Sequence, residues 1–207
     1  MKKTSRVRLL TLGIITGTLF AIILWDMLTH GFMAQLDMNI LQKILTLRTS
    51  QLTNIAIACT WLANWQTIIP LTILVTAYLW YAKKHRTAQF FMGTLIIGEA
   101  IGELLKWLVH RQRPEEIFAL VSRIDYSFPS AHALMATLFY GMIAYMITRH
   151  IKSLWGKWIV SIIATCIMVG VGLSRVYLGV HWASDVVAGW LAGGAILIYT
   201  YCRISKK

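Results

Sequence analysis

Three short blocks of the sequence concentrate residues that could do chemistry. They are KWLVHRQRP at 106–114, PSAH at 129–132 and SRVYLGVHWASD at 174–185. The blocks supply three cations, Lys106, Arg113 and Arg175, and no nearby acidic residues balance them. Arginine forks and a lysine point charge suit a tetrahedral phosphate. The cluster therefore predicts an anion-binding site, and phosphate is the anion that fits it.

Two of the blocks add a helix N-terminus and two imidazoles. Free N–H groups at the start of a helix bind anions, and the second block opens a predicted helix at Ser130, Ala131 and His132. His181 and Asp185 are four residues apart, which predicts that both lie on one helix face. A carboxylate there can hold one ring nitrogen and leave the other as a nucleophile. The imidazole of His132 is suited to protonating a leaving oxygen.

The rest of the chain has the composition of a membrane protein. Of its 207 residues, 57% are hydrophobic and 14% are charged, whereas a soluble domain has about 45–50% and about 25%. A net charge of +12 favours nucleic acid in a soluble protein, but here the basic residues punctuate long apolar runs, so no nucleic-acid partner is expected. Cys59, Cys166 and Cys202 lie in apolar stretches, which predicts free thiols.

Six stretches are long and apolar enough to cross about 30 Å of hydrocarbon. The predicted spans are 9–27, 53–82, 88–108, 131–148, 155–174 and 182–202. Only helices and closed barrels satisfy their backbone groups in lipid, and the alternation typical of a barrel strand is not found in the sequence. We therefore predict an all-α integral membrane protein, a bundle of six transmembrane helices that forms one domain over residues 1–207.

Basic residues in short loops predict the orientation of the bundle. The basic residues placed inside are Lys2, Lys3, Arg6, Arg8, Lys83, Lys84, Arg86, Arg149, Lys152, Lys157, Arg203, Lys206 and Lys207. All acidic residues fall outside or in the outer half of a span. Both termini are then inside, loops 28–52, 109–130 and 175–181 are outside, and the three blocks meet at the outer membrane face.

The first external loop contains a helical pattern of its own. Apolar residues recur at helical spacing opposite a polar face, at Met33, Leu36, Ile40, Ile44 and Leu47. This pattern predicts a short helix, and two placements stay open. The helix either lies in the outer membrane interface or packs on the bundle as an ordinary surface helix.

Other ionisable residues near the first block have less certain roles. Glu99 and Glu103 lie one turn apart in the third span, and Lys106 continues their stripe. Intramembrane carboxylates are functional candidates, but pairing of Glu103 with Lys106 is the favoured interpretation. His110 and Arg111 are expected to touch a headgroup or only solvent.

Each site residue has a plainer interpretation when it is considered alone. A single Lys or Arg at the end of a span commonly extends toward the headgroups, and a single His is commonly structural. Two His residues and an Asp could hold a metal, but metal ligand sets do not usually include three nearby cations. The conjunction of the blocks therefore favours a phosphate site over a metal site.

The three blocks resemble the signature of the type 2 phosphatidic acid phosphatase (PAP2) superfamily, which reads KxxxxxxRP, PSxH and SRxxxxxHxxxD. Every spacing matches, and the six-span layout extends the resemblance over nearly the whole chain. Ala131 stands where the family often has Gly, and an alanine leaves the backbone N–H available. A small chain of this kind is similar to the bacterial phosphatidylglycerophosphatase B and undecaprenyl-diphosphate phosphatase branches.

The resemblance implies a role for each matching residue. His181 would be the nucleophile that forms a phosphohistidine, Asp185 the carboxylate that orients it, and His132 the general acid. The implied phosphate-binding residues are Lys106, Arg113, Ser130, Ala131 and Arg175.

The implied activity is that of a metal-independent lipid phosphatase without a cofactor. Its substrate would be the phosphomonoester or diphosphate of a membrane lipid, such as phosphatidylglycerophosphate, phosphatidic acid or undecaprenyl diphosphate. The implied location is the bacterial cytoplasmic membrane, with the site facing outside and membrane lipids as the surroundings.

Two other functions are compatible with these residues. A lipid phosphotransferase would pass the phosphoryl group from His181 to another lipid instead of to water. A transporter or flippase would use the cations as a gate for phosphate headgroups, but a transport site usually lies near the midplane. Transport also gives no reason for the spacing of His181 and Asp185 together with a second His.

Overall fold

The computed structural model describes residues 3–29 and 31–204, with side chains from Val7 onward. Its α-helices are α1 (Lys3–Leu28), α2 (Met33–Thr46), α3 (Ser50–Trp61), α4 (Trp65–Tyr81), α5 (His85–Val109), α6 (Ala131–Thr148), α7 (Leu154–Tyr177) and α8 (Ala183–Ile204). A short 3₁₀ helix covers Glu116–Phe118. Lys2, Lys206 and Lys207, predicted to lie inside, are outside the described residues, as are the side chains of Lys3 and Arg6. The described ranges contain no strand, which confirms the all-α class.

Among the described residues, six segments have the length and apolar composition of membrane spans, which agrees with the predicted number. They are α1 from Val7, α3 with α4, α5, α6, α7 and α8. The predicted span at 53–82 corresponds to the segment Ser50–Tyr81, which is divided into two helices, α3 and α4. The predicted start of the loop at 175–181 is wrong, because α7 continues to Tyr177. Arg175 therefore lies within a helix and is buried.

The break between α3 and α4 has a local cause at Asn64. This residue has extended backbone angles, φ −67° and ψ 150°, directly before α4. Asparagine competes with helical hydrogen bonds and is favoured at helix starts, so an apolar run that contains it can divide there. The hydroxyl of Tyr140 on α6 donates to the carbonyl of Leu62 at 2.8 Å and fixes the turn. Asn64 consequently faces the N-terminal end of α6.

Helix α6 lies at the centre of the bundle, against α5, α7 and α8. Leu134, Leu138 and Met142 on this helix are completely buried. Small residues permit the close approach of its neighbours: a Cβ atom on Gly189 of α8 would lie 2.8 Å from the carbonyl oxygen of Ser130. The second chemical block, at the start of α6, is therefore held between the helices that carry the first and third blocks.

Helix α2 confirms the predicted helix in the first external loop. It packs on α7 and α8, with Asp37 and Leu41 buried. The carboxylate of Asp26 in α1 accepts hydrogen bonds from the backbone N–H groups of Phe32 and Met33, both at 3.1 Å, and so caps the start of α2. The buried carboxylate of Asp37 shows that this helix is tied to the bundle by polar contacts as well as apolar ones.

Candidate active site

One cavity of about 460 Å³ brings the three sequence blocks together. Five of the predicted site residues line it: Lys106, Arg113, Ala131, His132 and His181. The other three, Ser130, Arg175 and Asp185, are buried behind its wall. Apolar residues of α4 and α5 line the remainder, so the cavity is polar at one end and apolar at the other.

His181 presents one ring nitrogen to the cavity as an acceptor. Its Nε2 atom lies 3.1 Å from Nη1 of Arg113, and a guanidinium can only donate. Nε2 therefore carries a lone pair and the ring proton is on Nδ1. Burial lowers the pKa of His181, and the positive charges of Arg113 and Arg175 lower it further. The imidazole is consequently neutral and nucleophilic at neutral pH.

Asp185 lies on the opposite side of the same imidazole. Its Oδ2 atom is 3.4 Å from Nδ1 of His181 and accepts a hydrogen bond from the backbone N–H of Trp182 at 2.9 Å. The prediction that both residues lie on one helix face is wrong, because His181 precedes α8 and sits in the turn that leads into it. The carboxylate reaches back to the start of its own helix and thereby holds this turn in place.

Ser127 is a neighbour of this pair that the sequence analysis missed. Its hydroxyl donates to Oδ2 of Asp185 at 2.5 Å and lies 3.4 Å from Nδ1 of His181. The only signal in the sequence is its position just before the second block. Ser127 and Asp185 together surround the protonated ring nitrogen and leave Nε2 facing Arg113.

His132, in the first turn of α6, has a partner that its own block does not supply. Its Nε2 atom lies 2.8 Å from the amide oxygen Oδ1 of Asn64 and 3.4 Å from Nη2 of Arg123. An amide oxygen accepts only, so the shorter contact assigns a proton to Nε2. Asn64 was missed as well, although a lone asparagine in an apolar run was a usable signal. The contact orients this N–H, and His132 would be able to donate it to a leaving oxygen as an imidazolium, with a second proton on Nδ1.

The expectation that no acid balances the cations is wrong. Asp125 accepts from Nζ of Lys106 at 2.7 Å and from Nη2 of Arg113 at 2.9 Å. Burial alone would raise the pKa of Asp125, but the hydrogen bond from Lys106 and the charge of Arg113 lower it below its usual range. The cause of the error is tertiary, since the loop after α5 folds back over the cavity.

Arg175 remains a cation with unused donors. It is 1% exposed, and Nη1 donates to the hydroxyl of Thr60 at 2.6 Å. Its Nε and Nη2 atoms have no hydrogen-bond partner among the described residues. A buried guanidinium with unpaired donors is costly unless an anion pairs with it. Ser130 acts as the N-cap of α6, where its hydroxyl oxygen accepts from the N–H of Ala133 at 3.5 Å.

The remaining ionisable residues near the first block are now placed. Glu103 pairs with Lys106 at 2.7 Å, which confirms the structural interpretation, and Glu99 lines the cavity. The expectation for Arg111 is wrong, because its guanidinium is bound between the carboxylates of Asp185 and Asp37 at 2.5 and 2.6 Å. Within the described residues, no three His, Cys, Asp or Glu side chains are grouped to hold a metal ion.

Comparison with known proteins gives consistent matches. The sequence profile of the PAP2 superfamily matches residues 87–207. Phosphatidylglycerophosphatase B of Bacillus subtilis is 33% identical over 84% of this chain and 86% of its own length. The undecaprenyl-diphosphatase of Sulfolobus acidocaldarius is 35% identical over 60% of this chain and 59% of its own.

The fold has a match among solved structures. The crystal structure of the transmembrane PAP2 type phosphatidylglycerolphosphate phosphatase from Bacillus subtilis superposes with a TM-score of 0.83. It is 28% identical in sequence and the match covers 91% of this chain and 94% of that one. Six spans, one cavity that joins the three blocks, and these relatives agree. The chain belongs to the PAP2 superfamily and is a multi-pass membrane lipid phosphatase.

Proposed function

We propose that this chain hydrolyses the phosphomonoester or diphosphate of a membrane lipid at the external face of the membrane, without a metal ion, through a phosphohistidine on His181. The observation that carries the proposal is the state of that imidazole. Its lone pair on Nε2 faces Arg113, 3.1 Å away, in the cavity that Lys106 and His132 also line. A neutral nucleophile is thus held next to the groups that would bind a phosphoryl oxygen.

Phosphate binding would use charges that are already positioned. Arg113 and Lys106 would exchange part of their contact with Asp125 for phosphoryl oxygens, while Arg175 would contribute its two unpaired donors. The N–H groups at the start of α6 would add a helix dipole. Because these donors are fixed before the substrate binds, they stabilise the charge that develops in the transition state.

The first chemical step would transfer the phosphoryl group to the enzyme. Nε2 of His181 attacks phosphorus, the nitrogen–phosphorus bond forms, and the bond from phosphorus to the lipid oxygen breaks. The lipid oxygen keeps the electron pair and takes the proton on Nε2 of His132, which would enter the step as an imidazolium and leave it as a neutral imidazole. Asp185 and Ser127 stabilise the positive charge that the phosphorylated ring gains at Nδ1.

The second step would regenerate the enzyme. Water attacks phosphorus, its proton passes to His132, and the electron pair of the nitrogen–phosphorus bond returns to His181. A second cavity of about 650 Å³, lined by the loop after α5, shares Arg113, Arg123 and Asp125 with the first. This cavity would let water approach the phosphoenzyme, and we therefore favour hydrolysis over transfer of the phosphoryl group to a second lipid.

The apolar half of the first cavity supports a lipid substrate. Ile69 and Ile73 of α4 and Ile96 of α5 line it and are largely exposed, so it opens sideways between these helices toward the bilayer. The names of the two relatives, phosphatidylglycerophosphatase B and undecaprenyl-diphosphatase, indicate which headgroups to test first.

Phosphate release in detergent tests this function directly. Protein solubilised with an excess of EDTA should release inorganic phosphate from phosphatidylglycerophosphate, phosphatidic acid or undecaprenyl diphosphate, and orthovanadate should inhibit it. Transport is impossible in micelles, so a flippase would release none. Activity that disappears with EDTA and returns only with Mg²⁺ would contradict the metal-independent mechanism, because the cations of the site are proposed to replace the metal.

The orientation can be tested by cysteine labelling. In a background with Cys59, Cys166 and Cys202 replaced by Ala, Glu116→Cys should react with a membrane-impermeant maleimide in intact cells. Lys84→Cys should react only after the cells are opened, because both positions are exposed but lie at opposite ends of α5. Labelling of the Lys84 position alone in intact cells would place the site on the internal face.

A further inference from the structure

We infer that Asp37 and Arg111 are positioning residues for the reaction, which hold the carboxylate of Asp185 and set the charge beside His181. Asp37 acts from helix α2, outside the three blocks, and Arg111 from a position of the first block that the signature does not specify. This inference rests on the proposed role of His181 as the nucleophile. Neither residue occupies a position that the PAP2 signature specifies, and neither lines the substrate cavity.

The guanidinium of Arg111 contacts Asp185, Ser184, Asp37 and the ring of Trp182. Its Nη1 atom donates to Oδ1 of Asp185 at 2.5 Å and to the hydroxyl of Ser184 at 2.7 Å, and Nη2 donates to Oδ2 of Asp37 at 2.6 Å. The guanidinium also lies over the ring of Trp182, 5.5 Å from its centroid. A planar fork held by two carboxylates has one geometry, so it fixes the Asp185 carboxylate in one rotamer.

The backbone of Arg111 adds a second route to the same imidazole. Its carbonyl accepts from the N–H of Ser127 at 2.8 Å, and the Ser127 hydroxyl donates to Asp185. Both groups that face Nδ1 of His181 therefore depend on this one arginine. Loss of its side chain would free Oδ1 of Asp185. The hydrogen bonds to Oδ2 from Ser127 and from the N–H of Trp182 would persist, as would the backbone contact to Ser127.

Asp37 anchors the arrangement from helix α2. It is 2% exposed, and its Oδ1 atom accepts from the backbone N–H of Ser184 at 2.9 Å, while Oδ2 accepts from the Ser184 hydroxyl. These bonds cap the start of α8, which is a structural role. The ion pair with Arg111 has a second effect. The negative charge of Asp37 partly neutralises the guanidinium and so weakens its neutralisation of Asp185.

The net charge of the buried group Asp37, Arg111 and Asp185 affects the chemistry at His181. Two carboxylates share one guanidinium, so Asp37, Arg111 and Asp185 together carry one net negative charge in a site shielded from water. When Nε2 of His181 bonds to phosphorus, the imidazole becomes positive, and this net charge stabilises it. If Asp37 were neutral, Arg111 would cancel Asp185 and the stabilisation would be lost.

Several other groups act on the same imidazole and must be constant in any test. The charged or titratable groups that face His181 are Lys106 of α5, Arg111, Arg113 and Asp125 of the following loop, His132 of α6, Arg175 of α7 and Asp185 of α8. Variants of Asp37 and Arg111 leave all of these except Arg111 itself unchanged.

Charge-reversible variants test the inference. The phosphorylation rate constant is measured against pH by rapid quench with ³²P-labelled lipid phosphate in micelles. Asp37→Asn should lower it about 10- to 100-fold, the range expected when a charge-assisted hydrogen bond is lost, with little change in KM. The acid limb of the pH profile, where the rate constant falls because His181 becomes protonated, should move to lower pH in this variant. The reason is that the lost negative charge disfavours protonated His181. Arg111→Gln should move the limb to higher pH, and the double variant should return it toward the wild-type position.

A matched control separates positioning from packing. Arg48 is a half-buried arginine of the same face that donates only to the backbone carbonyls of Phe118 and Tyr177. Arg48→Gln should lower the unfolding temperature without moving the acid limb. A structural role for Asp37 and Arg111 would give that same pattern and overturn the inference. If Arg111→Gln does not fold, the position of the acid limb in Asp37→Asn alone still decides between the two roles.

The outcome also distinguishes the inference from the proposed function. Wild-type protein that forms no phosphohistidine contradicts the nucleophilic role of His181 itself. Wild-type protein that forms one, with the same acid limb of the pH profile in the wild type and in Asp37→Asn, contradicts only the role of Asp37 and Arg111.

Discussion

Replacement of His181 by alanine should abolish lipid phosphate turnover and phosphoenzyme formation together. The imidazole is proposed to supply the attacking lone pair, and its Nε2 atom lies 3.1 Å from Arg113 in the cavity where the phosphate would bind. Removal of a nucleophile from a catalytic group that acts as a unit lowers kcat by about 10⁴-fold or more. Lipid and aryl phosphates should be affected alike, because both need the same attack.

His110 provides a matched control for this variant. It lies at the end of α5 with a left-handed backbone, φ 50°, and its ring packs against Tyr126 outside the cavity. His110→Asn keeps a residue that tolerates this conformation and should retain nearly full turnover. Phosphate release by His181→Ala within about tenfold of wild type would contradict nucleophilic catalysis, given the magnitude expected for such a loss.

Replacement of His132 by alanine should give a loss that depends on the leaving group. A general acid contributes about 10²- to 10⁴-fold when the departing oxygen is basic. The lipid alkoxide of a phosphomonoester is such a group, whereas the lipid phosphate released from a diphosphate and an aryl oxide leave readily. His132→Ala should therefore lose phosphatidic acid hydrolysis, retain much of the activity on an activated aryl phosphate, and fall between the two with a lipid diphosphate.

The phosphoenzyme gives an independent reading of the same variant. Because Nε2 of His132 is proposed to donate a proton and not to attack, His132→Ala should still become phosphorylated by the aryl substrate. Equal losses for all three substrates would remove the case for a general acid. Phosphorylation that persists in His181→Ala and disappears in His132→Ala would mean that the two roles are reversed.

The large-scale features of this molecule could be predicted because they depend on local pattern. Each membrane span is a run of apolar residues, and hydrocarbon leaves the backbone no alternative to a helix. Sequence spacing that matches a known signature identified four of the cavity residues, Lys106, Arg113, His132 and His181. A signature indicates which residues share a site, but it does not give their contacts or distances.

The missed features all depend on contacts between distant parts of the chain. Asp125 reaches Lys106 across a loop whose path no periodicity specifies. Asp37 and Arg111 are brought together by the docking of α2 on the bundle. Asn64 divided a span that was predicted to be continuous, since its side chain bonds His132 and its backbone starts α4. In each case the sequence shows a polar residue in apolar surroundings, which is a usable signal. The sequence does not show which distant residue that side chain contacts.

The central claim is that the covalent intermediate forms on Nε2 of His181, and identification of the trapped phosphoenzyme tests it most directly. Wild-type protein is mixed with ³²P-labelled lipid phosphate, quenched in base within milliseconds, digested and analysed by mass spectrometry. We expect a label that is stable in base and labile in acid, on the peptide that contains His181. Phosphorus should be on Nε2, because Nδ1 faces Asp185 and Ser127. A label on His132, or single-turnover hydrolysis that proceeds with no labelled histidine, would contradict the central claim.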